Sequence, residues 1–330
     1  MISFPRTRLR RRRRKSWSRE LFAEYNLCIS DLVMPLFVIE GQNIVQEITT
    51  MPGIFRYTID KLVEEVKKLW DDGICAVMLF PYIDQSLKDP LGSEAIKDNN
   101  LICRAIYTIK SLVPSIGIIA DVALDPYTSH GMDGILGVDG DVENDTTIEI
   151  LQKQALLLAA AGADVIAPSD MMDGRIGIIR DTLEINKYYN IQIFAYSVKY
   201  NSNFYTPFRD AVGSKNNLGC SNKSTYFNDY RNSSEALEEV LLDINEGADA
   251  IIIKPGLMYL DIISRVKSQF PIPIIAYQVS GEYSMLLHAM KNNIISERSI
   301  EEILIPFKRA GASSIITYFA KWFSKIINRA

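Results

Sequence analysis

At 330 residues the chain is long for one ordinary domain, but α/β barrels fill this length as single units. Its 48% apolar content supplies a large core, and no apolar run approaches the roughly 18 residues a membrane helix needs. Four scattered cysteines (Cys28, Cys75, Cys103, Cys220) form no C-x-x-C pair, and the N-terminus lacks an apolar signal core. This points to a reducing, cytoplasmic setting, with no membrane and no thiolate metal site.

The net charge of -4 conceals an asymmetry, because "PRTRLRRRRRKSWSR" (5–19) carries eight Arg and one Lys and no acid. The remaining chain holds 27 basic against 40 acidic residues, so its body is acidic. A basic arm over residues 1–30 has three readings: contact with an acidic neighbouring subunit, an Arg-rich targeting segment, or nucleic-acid binding. The acidic body argues against an extended nucleic-acid surface.

Beyond the arm, "VMPLFVI" (33–39) opens a series of short apolar runs. "DDGICAVMLF", "AAGADVIAPS", "NEGADAIIIKP" and "RAGASSIITYF" each read as helix end, glycine, small residue and buried run. "IGIIADV", "IQIFAYS" and "IPIIAYQV" complete a set of eight. Continuous rather than alternating apolar runs suit strands covered on both faces, as in parallel sheets. The intervening segments have helical periodicity: in 58–72, Ile59, Leu62, Val63, Val66 and Leu69 recur three or four apart behind Thr58, a suitable N-cap. Segments 146–162 and 233–247 read alike. Eight strands alternating with helices predict a (β/α)8 TIM barrel over 31–330. An open doubly wound sheet would carry a glycine-rich phosphate turn after its first strand, and "IEGQNIV" is not one.

Barrel chemistry collects at the C-terminal strand ends. The third run ends in "DVALDPYTSHGMDG", crowding Asp121, Asp125, His130 and Asp133 together as a metal site, an acid/base cluster or a turn-rich loop. The fourth ends with Ser169, Asp170, Asp173 and Arg175, the fifth with Lys199, the sixth with Lys254, the seventh with Ser280 and Glu282, and the eighth at Tyr318. Burial at the mouth of an apolar strand lowers a lysine pKa, and a second lysine lowers it further. The neutral amine attacks a carbonyl to form an imine. Either lysine alone reads as a partner for a carboxylate; two on adjacent strand ends read as imine chemistry, which a class I aldolase would satisfy equally. Arg209 and Lys223 suit a substrate carboxylate. Residues from about 200 to 232 read as a long loop over the mouth, a lid, whose Phe204, Tyr205 and Phe208 either close on substrate or simply pack.

"SVKYNSNFYTPFRDAVGS", "IIIKPGLMYLDII", "AYQVSGEYSML" and "IITYF" closely resemble the porphobilinogen synthase (delta-aminolevulinic acid dehydratase) family. "FPRTRLRRRRRKSWSREL" and "MPGIFRYTIDKLVEEV" are similar to its N-terminal arm and first segments, so the resemblance spans almost the whole chain. It implies condensation of two 5-aminolevulinate molecules to porphobilinogen with loss of two waters. Lys254 would be the principal imine residue and Lys199 the second. Arg209 and Lys223 would hold the carboxylate of one substrate, Ser280 and Tyr318 that of the other. A homo-octamer joined by the N-terminal arms is implied too, which favours the subunit-contact reading of the arm over nucleic acid. Phe227 departs from the family pattern, which commonly has glutamine after the lid tyrosine, and that puts one carboxylate contact in question.

Zinc-dependent members carry three cysteines where this chain has Ala123, Asp125 and Asp133, so zinc is not expected in the active site. The pattern resembles the aspartate-rich subgroup, in which magnesium is an activator bound away from the chemistry. That likeness implies Glu239 as the residue holding a hydrated Mg2+, with Asp170 as a further contact; without it, Glu239 reads as part of a solvated helix face. Asp125 and Asp133 are then expected to shape the active site or couple its protons.

Overall fold

The structure, a computed structural model, describes residues 3–214 and 223–327. In chain order its strands are β1 Leu32–Val38, β2 Val45–Glu47, β3 Phe55–Tyr57, β4 Ala76–Pro81, β5 Gly117–Val122, β6 Val165–Pro168, β7 Gln192–Lys199, β8 Ala250–Lys254, β9 Ile274–Tyr277 and β10 Ser314–Ile316. Its helices are α1 Arg10–Arg13, α2 Ser16–Leu21, α3 Ile59–Asp71, α4 Leu101–Leu112, α5 Asn144–Ala160, α6 Arg175–Ile185, α7 Thr206–Ala211, α8 Glu235–Asn245, α9 Leu260–Gln269, α10 Ser280–Lys291, α11 Ser299–Ala310 and α12 Ala320–Ile327.

Strands β1, β4, β5, β6, β7, β8, β9 and β10 pair in that order, all parallel, and β10 pairs back onto β1. This is the closed (β/α)8 barrel that the eight runs predict. Closure leaves no free edge along the eight barrel strands. Every residue of β1 and β8 is buried, which is why those runs do not alternate. Helices cover the outside with single apolar stripes; α3 buries Leu62, Val63, Val66 and Leu69, and its one buried charge, Glu65, pairs with Lys321. Gly162 and Gly247 close α5 and α8 with φ of +104° and +101°, the left-handed turn that lets each helix drop into the next strand.

Two local readings change. Thr58 occupies the N-cap position of α3, but its hydroxyl caps nothing there. Instead it accepts the Ile44 amide and donates to the Ile44 carbonyl, stapling the appended β2–β3 hairpin to the barrel. That antiparallel hairpin runs beside β1, and the sequence reading contained no such element. Its Arg56 donates to the carbonyls of Ala211 (2.7 Å) and Asp210 (2.6 Å), so a barrel appendage holds the end of α7 over the mouth.

The arm lies outside this core. Of residues 3–28 only Ser18 and Leu27 are buried. Phe4, Trp17 and Leu21 are 76%, 63% and 68% exposed, an unusual apolar load for a solvated arm.

Candidate active site

Lys199 and Lys254 end β7 and β8 and are direct partners in the register of those strands. Both are 6% exposed. Their surroundings differ. Lys254 Nζ lies 4.7 to 5.3 Å from the ring centres of Tyr277, Phe208, Tyr205 and Tyr196, and among the described residues it makes no hydrogen bond. Burial and then the Lys199 charge push its pKa down to about 7, although Asp121, Asp125 and Asp133 pull the other way. Lys199 Nζ donates to the Ser169 carbonyl, lies 3.5 Å from Asp133 and sits 4.2 Å from the Phe227 ring centre. One lysine is therefore set in an aromatic box, and the other is held by oxygens and the near face of Phe227, with the Tyr196 ring farther off at 5.8 Å.

The loop after β5 supplies the acids. Asp133 is buried; burial alone would raise its pKa, but Lys223 and Lys199 beside it hold it below the usual carboxylate range. It accepts the Tyr226 hydroxyl at 2.8 Å and pairs with Lys223. Asp125 lies 3.5 Å from the same lysine. Asp121 has a sealed Oδ1 without a hydrogen-bond partner among the described residues, and burial raises it to about 7 against the pull of Lys254 and Lys199. His130 is not part of this group: its Nε2 faces the Pro90 carbonyl at 3.1 Å and its Nδ1 accepts the Met132 amide, so it anchors the turn. Among the described residues no three His, Cys, Asp or Glu side chains lie close enough together to hold a metal ion.

A small pocket is lined by Lys199, Lys254, Asp125, Tyr205, Phe208, Arg209, Lys223 and Phe227. It brings together residues that the sequence spreads over five separate segments. Phe208 meets Phe80 edge-on at 5.0 Å and Phe37 at 5.8 Å, and the Tyr205 hydroxyl bonds the carbonyls of Tyr200 (2.7 Å) and Lys254 (3.1 Å), so both pack as well as line the site. Phe204 contributes backbone: its carbonyl takes the Ser280 hydroxyl at 3.3 Å, and that oxygen accepts the Phe208 amide at 3.0 Å. Ser280 thus fastens α7 to the start of α10. Tyr318 is buried with its hydroxyl 3.3 Å from that of Tyr277. Ser169 enters the site through its carbonyl. Residues 215–222, the centre of the expected lid, lie outside the described residues; its flanks, α7 and 223–228, reach the pocket.

Glu239 lies apart from the pocket, half-buried on α8. Burial, opposed by Arg175 and helped by Asp243, Asp173 and Glu235, raises its pKa to about 7. Asp170 does not turn to Glu239; it accepts the Met172 amide at 2.8 Å and pairs with Arg175 Nε at 3.7 Å.

Two residues had no role in the sequence reading. Glu282 is fully buried on α10 and accepts the amides of Val279 and Leu257, each at 2.9 Å, bolting the turn after Lys254 to the end of β9. Arg175 is buried between Asp170 and Asp243 and donates to the Tyr196 carbonyl of β7 at 3.1 Å. A charged residue in the first turn of a helix looks solvated in sequence, and only the closed barrel encloses these two.

Fold and site together define a (β/α)8-barrel lyase. The chain belongs to the delta-aminolevulinic acid dehydratase family, whose sequence pattern matches residues 6–326. It is 49% identical over 314 residues to the delta-aminolevulinic acid dehydratase of Bradyrhizobium diazoefficiens, covering 95% of this chain and 88% of that one. With the Chlamydia pneumoniae enzyme of the same name it shares 45% identity over 323 residues, 98% of this chain and 96% of that one. The crystal structure of the Toxoplasma gondii ME49 enzyme in complex with the reaction product porphobilinogen superimposes with a TM-score of 0.95 at 43% identity, covering 97% of this chain and 91% of that one.

Proposed function

We propose that the pocket condenses two molecules of 5-aminolevulinate to porphobilinogen with release of two waters, through imines on Lys254 and Lys199. The observation that carries this reading is the register pairing of the two lysines at one barrel mouth, with the Lys254 pKa lowered to about 7. A substantial fraction of Lys254 is then the neutral amine near neutral pH. Its lone pair attacks the ketone carbon of one substrate, the carbonyl oxygen leaves as water, and a carbon–nitrogen double bond remains. That imine withdraws electrons and acidifies the adjacent C–H. Asp121, with its pKa near 7 and a free buried oxygen, is placed to take such a proton. Lys199, beside Asp133, forms the second imine.

Arg209 and Lys223 hold the carboxylate of one substrate, and Lys223 does so in competition with Asp133 and Asp125. Ser280 and Tyr318 hold the other; because Ser280 also fastens α7, binding there is linked to the position of α7 and the lid. Asp125 and Asp133 work as charge partners of the two pocket lysines rather than as metal ligands.

The arm extends the reading to assembly. Its exposed Phe4, Trp17 and Leu21 and its arginines suit packing on an acidic neighbouring subunit, and the family resemblance supports a homo-octamer as that assembly. Magnesium is the proposed activator, held through its waters at Glu239: an ion that keeps its hydration shell needs only one or two carboxylates, and the acids around Glu239 supply a negative setting. When bound, it supplies charge at that helix face. We place the protein in the cytoplasm, a reading that the free Cys28, Cys75 and Cys103 support.

Incubation with 5-aminolevulinate, followed by mass spectrometry, should show one porphobilinogen formed per two substrates consumed. Lys254→Met should lower turnover by about a thousandfold or more. Carbon–carbon cleavage of aldol substrates without any pyrrole product would overturn the reading.

A further inference from the structure

Phe227 stands where its ring touches the chemistry directly. It is 5% exposed, and its ring centre lies 4.2 Å from Lys199 Nζ and 5.6 Å from Lys223 Nζ. The placement is built into the backbone on both sides. The Phe227 amide donates to the Lys223 carbonyl at 2.9 Å. The next residue, Asn228, donates its amide to the Lys199 carbonyl at 3.0 Å and accepts the Lys199 amide on its side chain at 3.2 Å. Tyr226 meets the ring edge-on at 4.9 Å while its hydroxyl is tied to Asp133. The ring therefore has one seat, facing Lys199.

An aromatic face attracts the ammonium form of a lysine and has nothing comparable to offer the neutral amine. The other groups facing Lys199 are the Ser169 carbonyl, Asp133 and, at 5.8 Å, the Tyr196 ring, which favour its charge, and the Lys254 charge, which opposes it; Asp121 and Lys223 lie in the same network. The carbonyl and the carboxylate must be left behind if the nitrogen is to reach a substrate ketone, whereas the ring lines the pocket itself.

We propose that Phe227 is a positioning residue that holds the Lys199 nitrogen against its ring face and turned from the incoming ketone, so that the first imine forms on Lys254. The proposal rests on the imine reading of the site. It makes the order of engagement depend on that ring: Lys254 reacts as the amine, and the Lys199 nitrogen stays on the ring face until the first adduct has formed. Imine formation itself balances as above, with amine and ketone giving imine and water.

The test uses levulinate, a keto acid that lacks the amine needed to complete the condensation, with borohydride at pH 7 and quantitative peptide mass spectrometry of both lysines. Pentafluorophenylalanine incorporated at position 227 keeps the shape of the ring and reverses the charge of its face. The Lys199 share of the reduced adduct should rise about threefold or more. Phe227→Leu, which removes the face altogether, should move the share in the same direction. An unchanged ratio in both variants, with Lys254 still labelled, overturns the role of Phe227 and leaves the imine reading standing. A ratio moved by leucine but not by the fluorinated ring shows packing alone and overturns it equally. Absence of adduct at either lysine of the unsubstituted protein would instead overturn the imine reading.

Discussion

The nitrogen of Lys254 has four aromatic rings around it and a second lysine next to it, so its proton is held weakly. A lysine amine is neutral above its pKa and charged below it. Turnover at limiting substrate should therefore rise as pH increases through about 7 and level off above, and Asp121, which titrates in the same range and must be ionised to accept a proton, shares that limb. A pH profile of kcat/KM flat from 6 to 8.5 would contradict this. Asp133 gives a second prediction. It neutralises Lys223 and stands against Lys199, so Asp133→Asn removes a charge from between two buried cations. Turnover should fall by about tenfold to a hundredfold, and thermal melting at pH 7 should shift down, because leaving buried charges unpaired is costly. Both lysines were legible in the sequence as single residues at the ends of apolar strands. Their different settings were not, because the rings around Lys254 arrive from β7, β9 and the segment around α7, and no local pattern announces that meeting.

At the scale of elements, the mouth is held by contacts that ignore strand order. α10 begins against the 203–205 turn so closely that a Cβ on Gly281 would stand 2.5 Å from the Phe204 carbonyl oxygen and 2.7 Å from its Cα. Gly281→Ala must push that turn, and with it Tyr205 and Phe208, away from Lys254. KM for 5-aminolevulinate should rise by about tenfold, with a smaller change in kcat, in steady-state assays. Glu282 one residue later accepts the Leu257 amide of the turn after Lys254 and the Val279 amide after β9, and Arg56 of the hairpin carries the end of α7. These three attachments mark the limit of sequence reasoning. Helix α3 was legible because its period repeats within thirteen residues, and the barrel because eight apolar runs repeat along the chain. The β2–β3 hairpin has three-residue strands, one of them fully exposed, too short to show a period. Thr58 likewise read as a helix cap, and its hydroxyl went to a hairpin that the local pattern does not reveal.

For the whole molecule, the barrel is sealed and the arm is not. A closed sheet with every neighbouring pair parallel buries its apolar runs within one chain, while residues 3–28 bury only Ser18 and Leu27. Removal of residues 1–28 should leave the barrel's circular dichroism and cooperative melting in place, yet reduce the assembly seen by analytical ultracentrifugation. Loss of folding on that truncation would show that the arm belongs to the core after all. The central claim is that Lys199 and Lys254 form one carbonyl-activating pair. Borohydride reduction in the presence of 5-aminolevulinate, followed by peptide mass spectrometry, tests it most directly. The account predicts a reduced substrate adduct on Lys254, with a smaller share on Lys199. Undiminished porphobilinogen formation with neither lysine modified would contradict it.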